Sequence, residues 1–166
     1  MMTLYLTRKV GTEPIPLSLP ATPADIGNAF AELDAICQDP SATEIYKVDS
    51  EVRNLSRYIC NVNVEDSENL RKLNQLAELL QSMSREDQMK MEGVLDSNSI
   101  NGMDDILNAV SMVKEYALLE EVTSDRTLGN YLVEHGVIDC PENIKPYLDY
   151  VGIGAEFYSD HGGAYT

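Results

Sequence analysis

Residues 116–136 have the sequence YALLEEVTSDRTLGNYLVEHG, which carries the clearest structural signals of the C-terminal third of the chain. Ser124 and Asp125 precede an apolar periodicity, a combination typical of the N-terminus of a capped helix. The pattern therefore predicts a helix over 124–135. Its expected apolar face comprises Leu128, Tyr131, Leu132 and His135. The run EYALLEEV (115–122), which precedes this helix, predicts a strand.

The same stretch is strongly acidic, since only Arg126 offsets Glu120, Glu121, Asp125 and Glu134. The whole chain of 166 residues has 28 Asp and Glu against 12 Lys and Arg, for a formal net charge of −16. Because 43% of the residues are hydrophobic, the chain can bury a core, and disorder does not explain the acidity. Coulomb repulsion disfavours direct binding to nucleic acid or to an anionic membrane. A basic partner or a metal ion is favoured instead.

The N-terminal part combines strand and helix signals. TLYLTRKV (3–10) and PIPLSLPA (14–21) alternate apolar and polar residues around the turn at 11–14, which predicts a β-hairpin. Thr22-Pro23-Ala24-Asp25 predicts a capped helix start, and Asp39-Pro40 its end. The expected core stripe of this helix is Ile26, Phe30, Leu33 and Cys37. ATEIYKVDS (42–50) predicts a third strand, whereas LSRYICNVNV (55–64) is ambiguous between helix and strand.

The rest of the chain is mainly helical in pattern. Three helices are expected between residues 65 and 114, the first with a broad leucine stripe and the second opening at Ser84. A final helix is expected from about Asp149 to Tyr158. These signals predict an α+β fold with three small subdomains. They are an N-terminal α+β subdomain (1–64, net charge −3), a helical middle subdomain (65–114, net charge −5) and an acidic C-terminal α+β subdomain (115–166, net charge −8).

No pattern in the sequence indicates an enzyme. His135 and His161 are the only histidines, neither lies in a nucleophile motif, and His135 is expected to close a helix. The adjacent acids Asp104 and Asp105 point in different directions on a helix, so they do not predict a shared proton or metal ion. We therefore expect no catalytic residues.

No cofactor or metal site is predicted either. The loop 96–107 fails the calcium-loop pattern, because Leu107 stands where a bidentate Glu is required. Gly152-Ile153-Gly154 lacks the third glycine of a dinucleotide-binding loop. We expect a cytoplasmic protein on three grounds. The three cysteines are widely separated, the N-terminus has no apolar signal core, and no apolar run is long enough to span a membrane.

Two C-terminal motifs resemble a known family. The LG-x-YL-x-E-x-G stretch (128–136) and the YLDY-x-x-x-G stretch (147–154) are similar to the C-terminal part of the ArdA antirestriction proteins. The hairpin and capped helix, PIPLSLPATPADIGNAFAEL, fit the family's opening more loosely, and the middle of the chain matches mainly in helicity and acidity. The resemblance is therefore specific over about the last third of the chain.

This resemblance implies a function. Such proteins imitate B-form DNA, occupy the DNA groove of type I restriction-modification enzymes, and block restriction and modification. They are carried by mobile elements and are built as an elongated chain of small domains that pairs into a homodimer. The acids expected to stand in for phosphates are Glu120, Glu121, Asp125, Glu134, Asp139, Glu142, Asp149 and Glu156. The alternative is an acidic adaptor or scaffold protein of a mobile element that binds another basic protein.

Overall fold

The computed structural model describes residues 1–8, 12–37 and 42–165, and it confirms an α+β fold. The chain divides into two compact units, Met1–Tyr116 and Ala117–Thr166. The described strands all lie in the first unit, and they form one antiparallel sheet. None of the helices among the described residues is both long enough and apolar enough to cross a membrane.

The sheet has three strands in the order β2-β1-β3. The strands are β1 (Met2–Thr7), β2 (Ile15–Leu19) and β3 (Glu44–Asp49). β1 is the central strand because it pairs with both neighbours, with Leu4 opposite Leu17 on one side and opposite Val48 on the other. These three side chains are buried, so the alternating pattern of the sequence directs one face of the sheet into the core. The predicted hairpin and third strand are confirmed, although part of the hairpin turn lies outside the described residues.

Helix α1 (Pro23–Ile36) packs against β2. The Thr22 side chain accepts a hydrogen bond from the Asp25 N–H, and the Asp25 carboxylate accepts one from the Thr22 N–H. This reciprocal cap confirms the predicted helix start. Leu33 is buried, as expected, whereas Phe30 is only partly buried against the core. The predicted end at Asp39-Pro40 falls outside the described residues.

Four helices complete the first unit. They are α2 (Ser56–Ile59), α3 (Ser67–Ser82), α4 (Arg85–Ser97) and α5 (Met103–Met112). The short helix α2 resolves the ambiguity over 55–64, and the other three helices confirm the helical middle region. Ser84 caps α4 by accepting a hydrogen bond from the Asp87 N–H.

One hydrophobic core runs through the first unit, from Met2 in β1 to Val113 just after α5. Helix α3 contacts both β2 and α5, so the regions 1–64 and 65–114 share a single interior. The structure therefore groups these two predicted subdomains into one compact unit. The other predicted boundary, at 114/115, lies two residues from the observed division at 116/117.

The second unit consists of helices. Helix α6 (Asp125–Glu134) packs against α7 (Tyr150–His161), and a short 3-10 helix (Lys145–Tyr147) lies between them in the sequence. Both long helices were predicted, and α7 extends three residues beyond the expected end. Gly162 follows α7 with a φ of 72°, a left-handed conformation that favours glycine.

The predicted strand at 115–122 is wrong. Residues 113–115 form a 3-10 helix, and a turn follows in which the Val122 N–H donates to the Leu119 carbonyl. The physical reason is the order of the side chains. Two leucines are followed by two glutamates, so a strand would place one leucine and one glutamate on each face. Hence the C-terminal unit is not α+β, because its described residues contain no strand.

Candidate acidic binding surface

Helix α6 fixes the first part of the acidic surface. Ser124 and Thr127 cap it reciprocally: the Ser124 side chain accepts from the Thr127 N–H, and Thr127 Oγ1 accepts from the Ser124 N–H. Leu128 and Leu132 are buried, as the helical spacing predicts. Glu134 is exposed at the end of the helix, which also confirms the expectation. The helix therefore fixes the backbone of Glu134, and its carboxylate extends into solvent.

Three details of α6 differ from the expected apolar face, the first being that His135 is exposed. Tyr131 is only partly buried, and its ring stacks on that of His135 at the helix end, with 4.0 Å between the ring centroids. Val133 is buried, although it was not assigned to the stripe. His135 is the C-cap residue, which confirms that it closes the helix. The histidine thus has a structural position, and its ring nitrogen Nδ1 lies 2.9 Å from the Tyr131 carbonyl oxygen.

Helix α7 supplies the second part of the surface. Its N-cap residue is Asp149, whose carboxylate accepts a hydrogen bond of 3.1 Å from the Gly152 N–H. Glu156 is exposed on this helix, and so is Asp160, one turn later. The rise of an α-helix separates these two carboxyl-bearing residues by about 6 Å along the axis. Asp160 was missed as a site residue, although its i, i+4 spacing from Glu156 was visible in the sequence.

Three of the eight predicted site residues have structural partners. Asp125 Oδ1 accepts a hydrogen bond of 2.9 Å from the Tyr165 hydroxyl. Glu142 forms an ion pair with Lys145, three residues later. Asp149 caps α7. These carboxylates therefore contribute to the fold of the C-terminal unit as well as to its charge.

The other five predicted acids are free to meet a partner. Among the residues that the structure describes, the carboxylates of these five form no ion pair and no hydrogen bond, and all five residues are exposed. They are Glu120, Glu121, Glu134, Asp139 and Glu156. Glu120 and Glu121 lie in the turn that precedes α6, and Asp139 lies between the two helices. The C-terminal unit thus brings all eight predicted residues into one compact body, with Asp160 as a ninth acid.

The charges of this unit are poorly balanced. Arg126 and Lys145 are the only bases in 117–166, so the formal net charge of this segment is −7. Lys145 is already engaged by Glu142. Exposed charges interact over roughly 8 Å at physiological ionic strength, so carboxylates within that distance of one another reinforce the same negative field. The arrangement suits a surface that carries many cations.

A metal site and a reactive cysteine each place requirements on the described residues. In 1–8, 12–37 and 42–165, no group of three or more His, Cys, Asp or Glu residues is placed to hold a metal ion. The three cysteines are free, and burial raises the pKa of the Cys60 thiol above its usual value. A raised pKa keeps the thiol protonated, which lowers its reactivity as a nucleophile.

Comparison of the chain with family models, with curated proteins and with solved structures gives no match.

Proposed function

We propose that the protein is a non-enzymatic inhibitor that imitates DNA and occupies the DNA-binding site of a type I restriction-modification enzyme. The observation that supports this proposal is the C-terminal unit, in which five exposed and unpartnered carboxylates lie on two capped helices and on the segments beside them. The resemblance of residues 128–136 and 147–154 to the ArdA proteins supports the choice of partner. The site of action that follows is the cytoplasm of the newly entered cell.

The physical basis of such inhibition is the replacement of phosphates by carboxylates. A DNA-binding groove presents Lys and Arg side chains that contact phosphate oxygens, and those contacts provide most of the sequence-independent affinity. Carboxylates accept hydrogen bonds from the same donors, bidentately in the case of Arg. Because caps and a packed helix pair hold the unit in shape, little backbone entropy is lost on binding.

The charge of the whole chain sets the length of duplex that one copy or two copies could imitate. Duplex DNA carries one charge per roughly 1.7 Å of axis, so a net charge of −16 matches about 27 Å of duplex. Two copies would match about 54 Å, or on the order of 16 base pairs. Because the resemblance to the ArdA proteins implies pairing of two copies, we propose that the inhibitor acts as a homodimer. Sedimentation equilibrium at micromolar protein tests this part of the proposal directly.

Competition for DNA tests the proposed function. Purified type I methyltransferase is bound to a fluorescent duplex that carries its target site, and the protein is added up to saturation. We expect the duplex to be displaced, and DNA cleavage and methylation to fall in parallel. If the methyltransferase keeps its full affinity for DNA at saturating protein, the proposal is wrong.

The dependence on salt separates DNA imitation from an uncharged mode of binding. Inhibition through many charge pairs should weaken steeply between about 50 and 200 mM salt, because screening acts on all the pairs together. Binding to a basic protein without displacement of DNA from the methyltransferase would instead favour an acidic adaptor.

A further inference from the structure

The segment between α6 and α7 presents an exposed aromatic ring. Tyr147 is 87% exposed, more than any other large hydrophobic side chain among the described residues. Ile144, three residues earlier, is 44% exposed. Side chains three residues apart on a 3-10 helix eclipse each other, and Ile144 is the N-cap residue of the helix that ends at Tyr147. The two side chains therefore form one small apolar spot on the surface.

The backbone beneath this spot is well fixed. The Tyr147 N–H donates to the Ile144 carbonyl at 2.9 Å. The Tyr150 hydroxyl donates to the Lys145 carbonyl, also at 2.9 Å, and so ties the turn to α7. Lys145 is held in addition by its ion pair with Glu142. A ring presented on such a turn loses little backbone entropy when it meets a partner.

Carboxylates flank the ring on both sides in the sequence. Asp149 follows Tyr147 by two residues, which span at most about 7 Å of chain. Glu142 and Asp139 precede it, and all three acids are exposed. The nearby base, Lys145, is paired with Glu142. The apolar spot therefore has exposed acids close to it on both sides in the chain, with Asp149 the nearest.

We propose that Tyr147 is an anchor that receives an arginine side chain of a basic protein partner. This inference rests on the proposed function, in which the partner surface is the Arg- and Lys-lined DNA site of the methyltransferase. A guanidinium stacks on an aromatic face through cation–π attraction, while its N–H groups donate to carboxylates beside the ring. Lysine has a compact, strongly hydrated ammonium and satisfies this arrangement less well.

Charge complementarity selects this occupant over two others. A second copy of the chain would bring Glu142 and Asp149 of both molecules together, and like charges repel. Nucleic acid would be repelled in the same way. A tyrosine flanked by carboxylates matches a basic protein surface, and Tyr and Arg are both enriched among the residues that contribute most to interface affinity.

The test compares Tyr147→Ala, Tyr147→Phe and a matched control, Tyr46→Ala, in the full-length protein. Tyr46 is 68% exposed and lies on β3 in the other unit. Each variant is titrated against the methyltransferase–duplex complex at low and at physiological salt, and circular dichroism verifies that the helices are retained. We expect Tyr147→Ala to raise the inhibition constant on the order of tenfold at both salt concentrations. Tyr147→Phe and Tyr46→Ala should stay within about threefold of the unaltered protein.

The outcomes separate this inference from the proposed function. If the unaltered protein displaces DNA and Tyr147→Ala does so equally well, the proposed role of Tyr147 is wrong and the proposed function stands. If the unaltered protein does not displace DNA, both are wrong. If Tyr147→Ala instead shifts the sedimentation equilibrium toward monomer, the ring contacts a second copy, and the arginine anchor is overturned.

Discussion

Gly154 lies directly against the backbone carbonyl of Asp125: a Cβ atom built on this glycine would be only 1.8 Å from that oxygen. The relationship is reciprocal, because a Cβ atom on Gly129 would be 1.9 Å from the carbonyl oxygen of Tyr150. Each glycine is the fifth residue of its helix, and each carbonyl belongs to the first residue of the other helix. The first turns of α6 and α7 therefore approach closely because both helices have glycine at the contact.

This contact predicts a strong effect of added methyl groups. Gly154→Ala or Gly129→Ala should destabilise the C-terminal unit by roughly 1–3 kcal/mol or more, since the obstructing atoms are backbone and cannot rotate away. Urea unfolding followed by circular dichroism measures the loss.

The matched control is Gly27→Ala in α1, where an added Cβ would meet nothing within 4 Å. Because alanine is about 1 kcal/mol better than glycine in a helix interior, this variant should be as stable as the original protein or more stable. Equal stability of the Gly154→Ala variant and the unaltered protein would contradict the close packing of the helices.

The apolar face of α6 gives a second prediction. Leu132 is 2% exposed, so Leu132→Ala should lower the free energy of unfolding by roughly 2–5 kcal/mol through lost burial and a residual cavity. Val137→Ala serves as the control, because Val137 is 57% exposed and its loss should cost less than about 0.5 kcal/mol. A negligible effect of the Leu132 substitution would mean that this side chain faces solvent.

The free carboxylates give a third prediction, which concerns the distribution of binding energy. Replacing any one of Glu120, Glu121, Glu134 or Glu156 with Gln should weaken inhibition by about 1 kcal/mol or less, because an exposed ion pair is screened. Replacing all four should abolish inhibition, since the field is the sum of their charges. The inhibition constant against the methyltransferase–duplex complex is the measurement.

Four exposed glutamates of the first unit provide a control with the same change in net charge. They are Glu32, Glu44, Glu78 and Glu115. Replacing all four with Gln should leave most of the inhibition intact. Complete loss of inhibition from a single Glu→Gln change, with the fold retained, would contradict a distributed mechanism.

Asp149 allows the structural and electrostatic roles of a carboxylate to be separated. Asparagine caps a helix about as well as aspartate, so Asp149→Asn should preserve stability while it removes one charge. Asp149→Ala should cost about 1 kcal/mol of stability, because the hydrogen bond to the Gly152 N–H is lost. Thermal unfolding of the two variants compares them, and equal melting temperatures would show that the cap contributes nothing.

The Tyr165 hydroxyl gives a prediction for alkaline pH. Burial and the hydrogen bond to Asp125 raise the pKa of Tyr165 from 10.0 to about 12. The folded state therefore retains this proton at a pH where the unfolded state has released it. The stabilisation is complete below pH 10 and is lost as the pH rises from about 10 to about 12.

Tyr165→Phe isolates this effect, because the aromatic ring that stacks on Tyr158 is kept and only the hydroxyl is removed. The difference in unfolding free energy between the two proteins should shrink as the pH increases from 9 to 12. A difference that stayed constant over this range would show that the Tyr165 pKa is not raised in the folded protein.

Local sequence patterns determined much of this protein. The caps at Thr22, Ser84 and Ser124 were predictable because the side chain and the N–H that it accepts from are three residues apart. The hairpin and the buried face of α6 were predictable for a similar reason, since a period of two or 3.6 residues places apolar side chains on one face. The concentration of acids in the last third of the chain also required no structure.

Tertiary structure decided what depends on residues distant in the sequence. A strand at 115–122 would have needed a neighbouring strand to form hydrogen bonds with its backbone N–H and C=O groups. Whether such a neighbour exists depends on the tertiary structure and cannot be read from a short apolar run. The predicted subdomains 1–64 and 65–114 form one compact unit because α3 packs against β2. The pairing of Gly129 with Tyr150, and of Gly154 with Asp125, likewise appears only when two helices cross. The sequence gives the number of carboxylates but not their partners. Only the tertiary structure brings Asp125 to the Tyr165 hydroxyl, 40 residues away, and leaves the carboxylate of Glu134 in solvent.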